Sequence, residues 1–253
     1  MKNLLFLILF SFSFLSKAQF VAEKKEVRDT SFTIPMITAS YAYQWSGGEL
    51  ADRFGSNNNI GGSFIVKTKK NWVYGFKGNF IWGGEVQEKS ILDDIKTTTG
   101  EAIDNIGRLT EVYLGQRGSS FFLIGGKMIN KFAPNKNSGI LLYGGFGMLQ
   151  HKISIKFKDD IVYLTDDYKK GYDRFSLGYA VNGFAGYLFL SKNRLLNFFG
   201  GIDYTQGWTK SLRKYNYDTQ EKDTKTYKNT LLGIRFGWII RLNKRQQSSF
   251  YYN

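Results

Sequence analysis

Trp72-Val73-Tyr74-Gly75-Phe76-Lys77-Gly78-Asn79-Phe80-Ile81-Trp82 alternates with a period of two. Successive side chains on a strand point to opposite faces, so Trp72, Tyr74, Phe76, Gly78, Phe80 and Trp82 share one face. Val73, Gly75, Lys77, Asn79 and Ile81 share the other. The first face is apolar with an indole at each end, whereas the second carries a cation and an amide at mid-strand. A soluble sandwich would put its most apolar residues where this strand puts Lys77 and Asn79. An apolar band between aromatic girdles, with a polar face behind it, is the pattern of a transmembrane β-barrel strand.

The same pattern recurs along the chain and predicts eight strands: 34–45, 59–68, 72–82, 120–130, 140–153, 175–190, 195–208 and 227–242. In the last of these, Leu232, Ile234, Phe236, Trp238, Ile240 and Leu242 alternate with Gly233, Arg235, Gly237 and Arg241. In the fourth, Phe122, Ile124 and Met128 are assigned to the outside and Lys127 to the inside. Long connections are expected after strands one, three, five and seven, and short turns after two, four and six. That rhythm matches the long extracellular loops and short periplasmic turns of outer-membrane barrels. Within the longest gap, 83–118, the spacing of Ile91, Leu92, Ile95, Ile103 and Ile106 predicts a short helix over the barrel mouth, although Glu111–Gly118 reads equally as an extension of the fourth strand. The predicted fold is therefore all-β, an eight-stranded antiparallel up-and-down transmembrane β-barrel over 34–242. Aromatics at 17%, with only two prolines, fit many strands better than helices.

Residues 1–18 read as a secretory signal: Lys2 is the positive start, Leu4–Leu15 the apolar run, and Ser16 and Ala18 the small residues before a cut at Gln19. The apolar run is too short to span a bilayer as a helix. Residues 19–33 are expected to form a polar periplasmic arm, and 243–253 a periplasmic tail. The chain contains no cysteine, which excludes disulfides, thiolate metal sites and a lipoprotein's acylated cysteine. The net charge of +14 is compatible with nucleic acid, but on an exported barrel it points to anionic outer-membrane lipid and lipopolysaccharide instead. No nucleic-acid partner is expected, whereas other envelope proteins are.

Side chains fill the interior of an eight-stranded barrel. The inward parity assigns Lys67, Lys77, Asn79, Lys127, Asn182, Asn197, Asp203, Arg235 and Arg241 to a lumen network. Buried cations need partners, so Asp203 and loop carboxylates are expected to turn toward them. His151 is the one histidine, and Ser154, three residues on, falls on the opposite face of that strand. On one strand a hydrolase's base and nucleophile need a shared face; another strand could supply the serine, but a lone histidine near a strand end reads as a polar or interfacial residue, and no catalytic residue is assigned. Asp159, Asp160, Asp166, Asp167 and Asp173 lack the spacing of a calcium loop and are interleaved with lysines. Neither a metal nor any other cofactor is expected.

Ser16-Lys17-Ala18-Gln19, the run Lys169-Lys170-Gly171-Tyr172-Asp173-Arg174 before a strand, and the ending Gly237-Trp238-Ile239-Ile240 give the chain a likeness. It resembles the small outer-membrane β-barrel proteins of Bacteroidota, the group that includes barrels linked to type IX secretion. It departs from them in not closing on a strand with a terminal Phe, since Lys244, Arg245, Phe250, Tyr251 and Tyr252 follow. The resemblance implies a non-enzymatic outer-membrane barrel serving as a structural or interaction subunit of a secretion or assembly machine. The five tail residues are the expected partner-binding set, because exposed aromatics beside cations are enriched at interfaces. A lipid-modifying hydrolase and a narrow pore are the alternatives.

Overall fold

The computed structural model describes residues 31–97, 100–103, 106–131, 133–158, 166–191 and 196–242. The expected signal segment, most of the N-terminal arm and the whole tail, with Lys244, Arg245, Phe250, Tyr251 and Tyr252, lie outside the described residues. The barrel strands are β1 (Ile34–Gly48), β2 (Ser56–Lys67), β3 (Trp72–Gly83), β4 (Val112–Ile129), β5 (Gly139–Phe157), β6 (Ser176–Leu190), β7 (Asn197–Ser211) and β8 (Thr226–Arg241). Each pairs antiparallel with its neighbour in sequence, and β1 pairs with β8 to close the barrel. No described helix is long and apolar enough to cross a membrane.

The register sets the barrel's shape. Cross-strand partners followed once around run from Trp72 through Lys127, Leu142, Ala185, Ile202, Ile234, Tyr43 and Asn58 back to β3 at Trp82. The stagger is thus the ten residues from 72 to 82. With eight strands it corresponds to a strand tilt of about 40°. Each residue then climbs about 2.5 Å along the barrel axis, and each step from β3 toward β8 adds about 3 Å. On that scale Trp45, Trp82, Tyr179 and Trp208 fall within about 5 Å of one height, and Trp72 and Trp238 form a second level about 20–25 Å below. Between the two levels the outer surface is apolar: Phe76, Phe146, Ile202 and Phe236 are all exposed.

The residues assigned inward on β2, β3, β6, β7 and β8 are buried or half-buried, and β4 is the exception. Phe122, Ile124 and Met128 are buried, whereas Phe121, Leu123, Lys127 and Ile129 are exposed. Directly opposed residues share a face, and β4 pairs Phe122 with Lys77 and Lys127 with Trp72. Apart from Lys127 both faces of 121–129 are apolar, so alternation alone leaves the phase of this strand open and the partner strand sets it. Lys127 consequently leaves the lumen set, and its ammonium lies 5.2 Å from the centre of the Trp72 ring on the outside. β4 also begins at Val112, so 112–118 extend it; Lys89–Ile95 forms 3-10 turns kinked at Leu92, whereas Ile103, expected on the same helical spacing, lies in the short strand Ala102–Ile103 paired with Leu109–Thr110. The loop rhythm is less regular than expected. Because β1 and β2 run on to Gly48 and back to Ser56, the connection 49–55 is shorter than the turn 130–138.

Inside, the barrel is layered. At the turn end Met36, Val73, Met128, Leu141, Leu188 and Ile239 form an apolar floor. Charged and polar side chains occupy mid-height, and Ile81, Leu149 and Leu231 lie above them. Leu50 and Phe54, from the connection 49–55, and Ile91 and Leu92, from the 3-10 turns, are buried over the loop end.

Candidate functional site

Three charges occupy the barrel's mid-height. The Lys77 ammonium lies 3.2 Å from Asp203 Oδ1, and the Arg235 guanidinium donates to Asp203 Oδ2 through Nε at 2.7 Å. Both residues of each pair are almost completely buried, so hydrogen bonds must replace the lost hydration. Arg235 Nη1 donates to Ser40 at 2.9 Å and Nη2 to Asn59 Oδ1 at 3.1 Å. Lys77 also donates to Asn182 Oδ1 at 2.9 Å, and Asn182 Nδ2 donates to Asp203 Oδ1 at 2.8 Å. Two cations thus share one carboxylate. The faces of Phe122 and Tyr143, 5.8 and 5.5 Å from the Lys77 ammonium, supply further negative potential.

Of the residues assigned to the lumen by parity, Lys77, Asn182, Asp203 and Arg235 converge on this cluster. Asn79 lies beside it and donates to Ser120 at 3.0 Å. Lys67, Asn197 and Arg241 sit at the turn end instead. Lys67 donates to Ser31 Oγ at 3.1 Å and Asn137 Oδ1 at 3.0 Å, tying the chain ahead of β1 to the β4–β5 turn. Asn197 accepts from the Ser191 amide at 3.2 Å, and Arg241 donates to the Ser191 carbonyl at 2.6 Å. Sequence reasoning missed Ser40, Asn59 and Ser120. Inward parity on β1 and β2 was the signal that could have placed Ser40 and Asn59, whereas Ser120 follows only from the pairing of β4 with β3.

Above the cluster His151 is buried at 2% exposure. Its Nε2 lies 3.0 Å from Asn229 Nδ2 and 3.4 Å from Thr209 Oγ1, and the Phe54 ring stands edge-on to it at 5.8 Å. Phe54, itself fully buried, covers one side of the imidazole.

The loops over this end are cross-linked by ion pairs that composition alone did not reveal. Glu88 accepts from Arg53 at 3.1 Å and from Arg174 at 3.0 Å, and Arg174 reaches Asp218 at 2.5 Å. Asp173 accepts from Arg213 Nε at 2.7 Å. Four connections are therefore joined through buried or half-buried charges. Tyr168, Tyr172 and Tyr217 pack together beside these pairs, with Tyr217 so close to Gly171 that a Cβ there would meet its ring at 2.1 Å. Glu49 holds the first connection to the start of β8. Its carboxyl is pushed below the usual range by a hydrogen bond from Lys225 and then by the Lys228 amide. Glu88→Gln should weaken both of its guanidinium contacts. Limited proteolysis should then cut the loops several-fold faster while the folded barrel's gel mobility is unchanged; unchanged cleavage would show that Glu88 does not hold the lid.

No family model matches the chain, and no curated protein does. Solved structures similar to it include Ail, the attachment invasion locus protein of Yersinia pestis, at 11% identity and a TM-score of 0.39, covering 83% of this chain and 100% of that one. A second structure of Ail, in complex with the heparin analogue sucrose octasulfate, gives 12% identity and a TM-score of 0.36 over 83% and 99%. Neisserial surface protein A gives 10% identity and a TM-score of 0.36 over 80% and 95%. Likeness at this level says nothing of ligand or activity.

Proposed function

We propose that the chain is an integral outer-membrane barrel without catalytic activity, acting as a structural or interaction subunit of an envelope machine for protein secretion or outer-membrane assembly. One observation carries the membrane part: the molecule is inverted, with apolar rings outside at mid-height and three charges inside. In water the outer belt would cost about 25 cal/mol for each Å² of apolar surface exposed. Lipid removes that cost but cannot satisfy backbone groups, and a closed antiparallel ladder satisfies them internally.

Two observations favour this reading over its rivals. A hydrolase would need His151, which is buried under Phe54 and meets the hydroxyl of a fully buried Thr209. A narrow pore would need an open lumen, and Lys77, Asp203 and Arg235 with Asn182, Phe122 and Tyr143 span it. The machine assignment draws on the resemblance to Bacteroidota barrels and on loops cross-linked into one surface. Fractionation should place the protein in the outer membrane with a heat-modifiable gel shift, and planar bilayers should show no conductance steps. A pull-down from native membranes should return a stoichiometric envelope protein. Recovery in the soluble fraction would refute the membrane part; a membrane protein that copurifies with nothing would refute the machine.

A further inference from the structure

On β4, β5, β7 and β8 the apolar belt ends at the loop side in outward cations. Arg117 stands opposite Trp82 on β3 and Lys152 on β5. Lys228 stands opposite Trp208, and Lys210 lies two residues beyond that tryptophan on β7. Carried through the register and tilt, Arg117, Lys152, Lys210 and Lys228 come out within about 5 Å of one height, a few Å above the upper aromatic level. They make two pairs on neighbouring strands, one on β4–β5 and one on β7–β8. Lys152, Lys210 and Lys228 are exposed and Arg117 is half-exposed.

The nearby carboxylates are already engaged. Asp173 comes no closer to Lys152 than 4.0 Å and is held by Arg213 at 2.7 Å. Glu49 accepts from Lys225 at 2.6 Å and from the Lys228 backbone amide, not from the Lys228 ammonium. Arg117 donates to its neighbour's carbonyl, that of Gln116, which leaves most of its planar fork for other acceptors. Cations at the depth where hydrocarbon gives way to headgroups face the phosphates of the lipids around them, and a guanidinium beside an ammonium suits a phosphate oxygen pair.

We infer that Arg117 with Lys152, and Lys210 with Lys228, form two seats for the phosphate groups of outer-leaflet lipid headgroups. This rests on the reading that the barrel spans the outer membrane. The ring lies on the side of the longest loops, which in outer-membrane barrels is the extracellular side, so the lipids it meets are phosphorylated glycolipids.

The test uses the full-length mature chain folded into neutral phosphatidylcholine vesicles. Protection of the strands from protease there establishes insertion first, so failure at this step overturns the membrane reading and not the seats alone. The vesicles are then doped with a bis-phosphorylated glycolipid bearing a headgroup quencher, and quenching of tryptophan fluorescence is titrated. Arg117→Gln/Lys152→Gln/Lys210→Gln/Lys228→Gln should weaken the apparent affinity about tenfold or more. The charge-matched control Lys96→Gln/Lys156→Gln/Lys214→Gln/Lys222→Gln should change it by less than about twofold. The dephosphorylated glycolipid should bind both proteins equally weakly, and millimolar inorganic phosphate should not compete. Equal loss in the ring and control variants would mean net charge alone, and equal binding of the dephosphorylated lipid would remove phosphate from the account. Displacement by inorganic phosphate would assign the seats to the free anion. Each of these three results overturns the inference.

Discussion

Asp203→Ala should destabilise the folded barrel by about 3–5 kcal/mol, because it strands two buried cations. Lys77 and Arg235 would face each other at mid-height with Asn182, Tyr143, Asn59 and Ser40 as their remaining acceptors. An apolar floor of Met36, Val73, Met128, Leu141, Leu188 and Ile239 lies below them and the buried Leu50, Phe54, Ile91 and Leu92 above, while lipid outside offers no counter-charge. Urea unfolding of the barrel in vesicles, followed by tryptophan fluorescence, measures the loss. The companion variant Lys77→Met/Asp203→Leu/Arg235→Met removes all three charges together and should fall between neutral and a gain of a few kcal/mol, on the order seen when buried ion clusters are replaced by apolar side chains. A single variant as stable as the parent would mean that water or another anion reaches the cluster, and the lumen would then not be sealed.

Phe54→Ala should be the next largest loss, about 3–5 kcal/mol for truncating a fully buried aromatic. Phe54 is carried by a loop, not a barrel strand, and it is 0% exposed because the loop turns into the mouth. Its backbone is bridged to Val86, and its ring packs edge-on against His151. The effect should therefore be local: the connections 49–55 and 84–111 should become protease-sensitive while the ladder and its gel shift persist. His151 should gain solvent access, which histidine-selective modification by diethyl pyrocarbonate would read. Protection of both loops in the variant would show that the ion pairs of Glu88 and Arg174 hold the lid without its apolar anchor.

The barrel was legible from alternation because a period of two admits few other architectures once one face is apolar and girdled. β3 and β8 each contrast an aromatic face with cations or glycines, so their phase is unambiguous. Long-range pairing was needed where that contrast fails. On β4, Phe121 and Leu123 compete with Phe122 and Ile124 for the lipid, and the choice falls to the strand partner: Lys77 must be inside, so Phe122 opposite it is inside too.

The residue types of the lumen were likewise readable, but not their grouping. Parity places Lys67, Lys77, Arg235 and Arg241 on the inside without distinguishing floor from mid-height. Height depends on the ten-residue stagger, which arises only when β1 meets β8. The lid was the least legible part. Arg53, Glu88, Arg174 and Asp218 are far apart in the chain, and nothing local to any of them names its partner. By itself the sequence determined that alternate residues face opposite media, because that is a property of each strand's own backbone. Which charges meet, and which loop residues close the mouth, only the tertiary structure decided, because both follow from closure of the sheet around one shared interior.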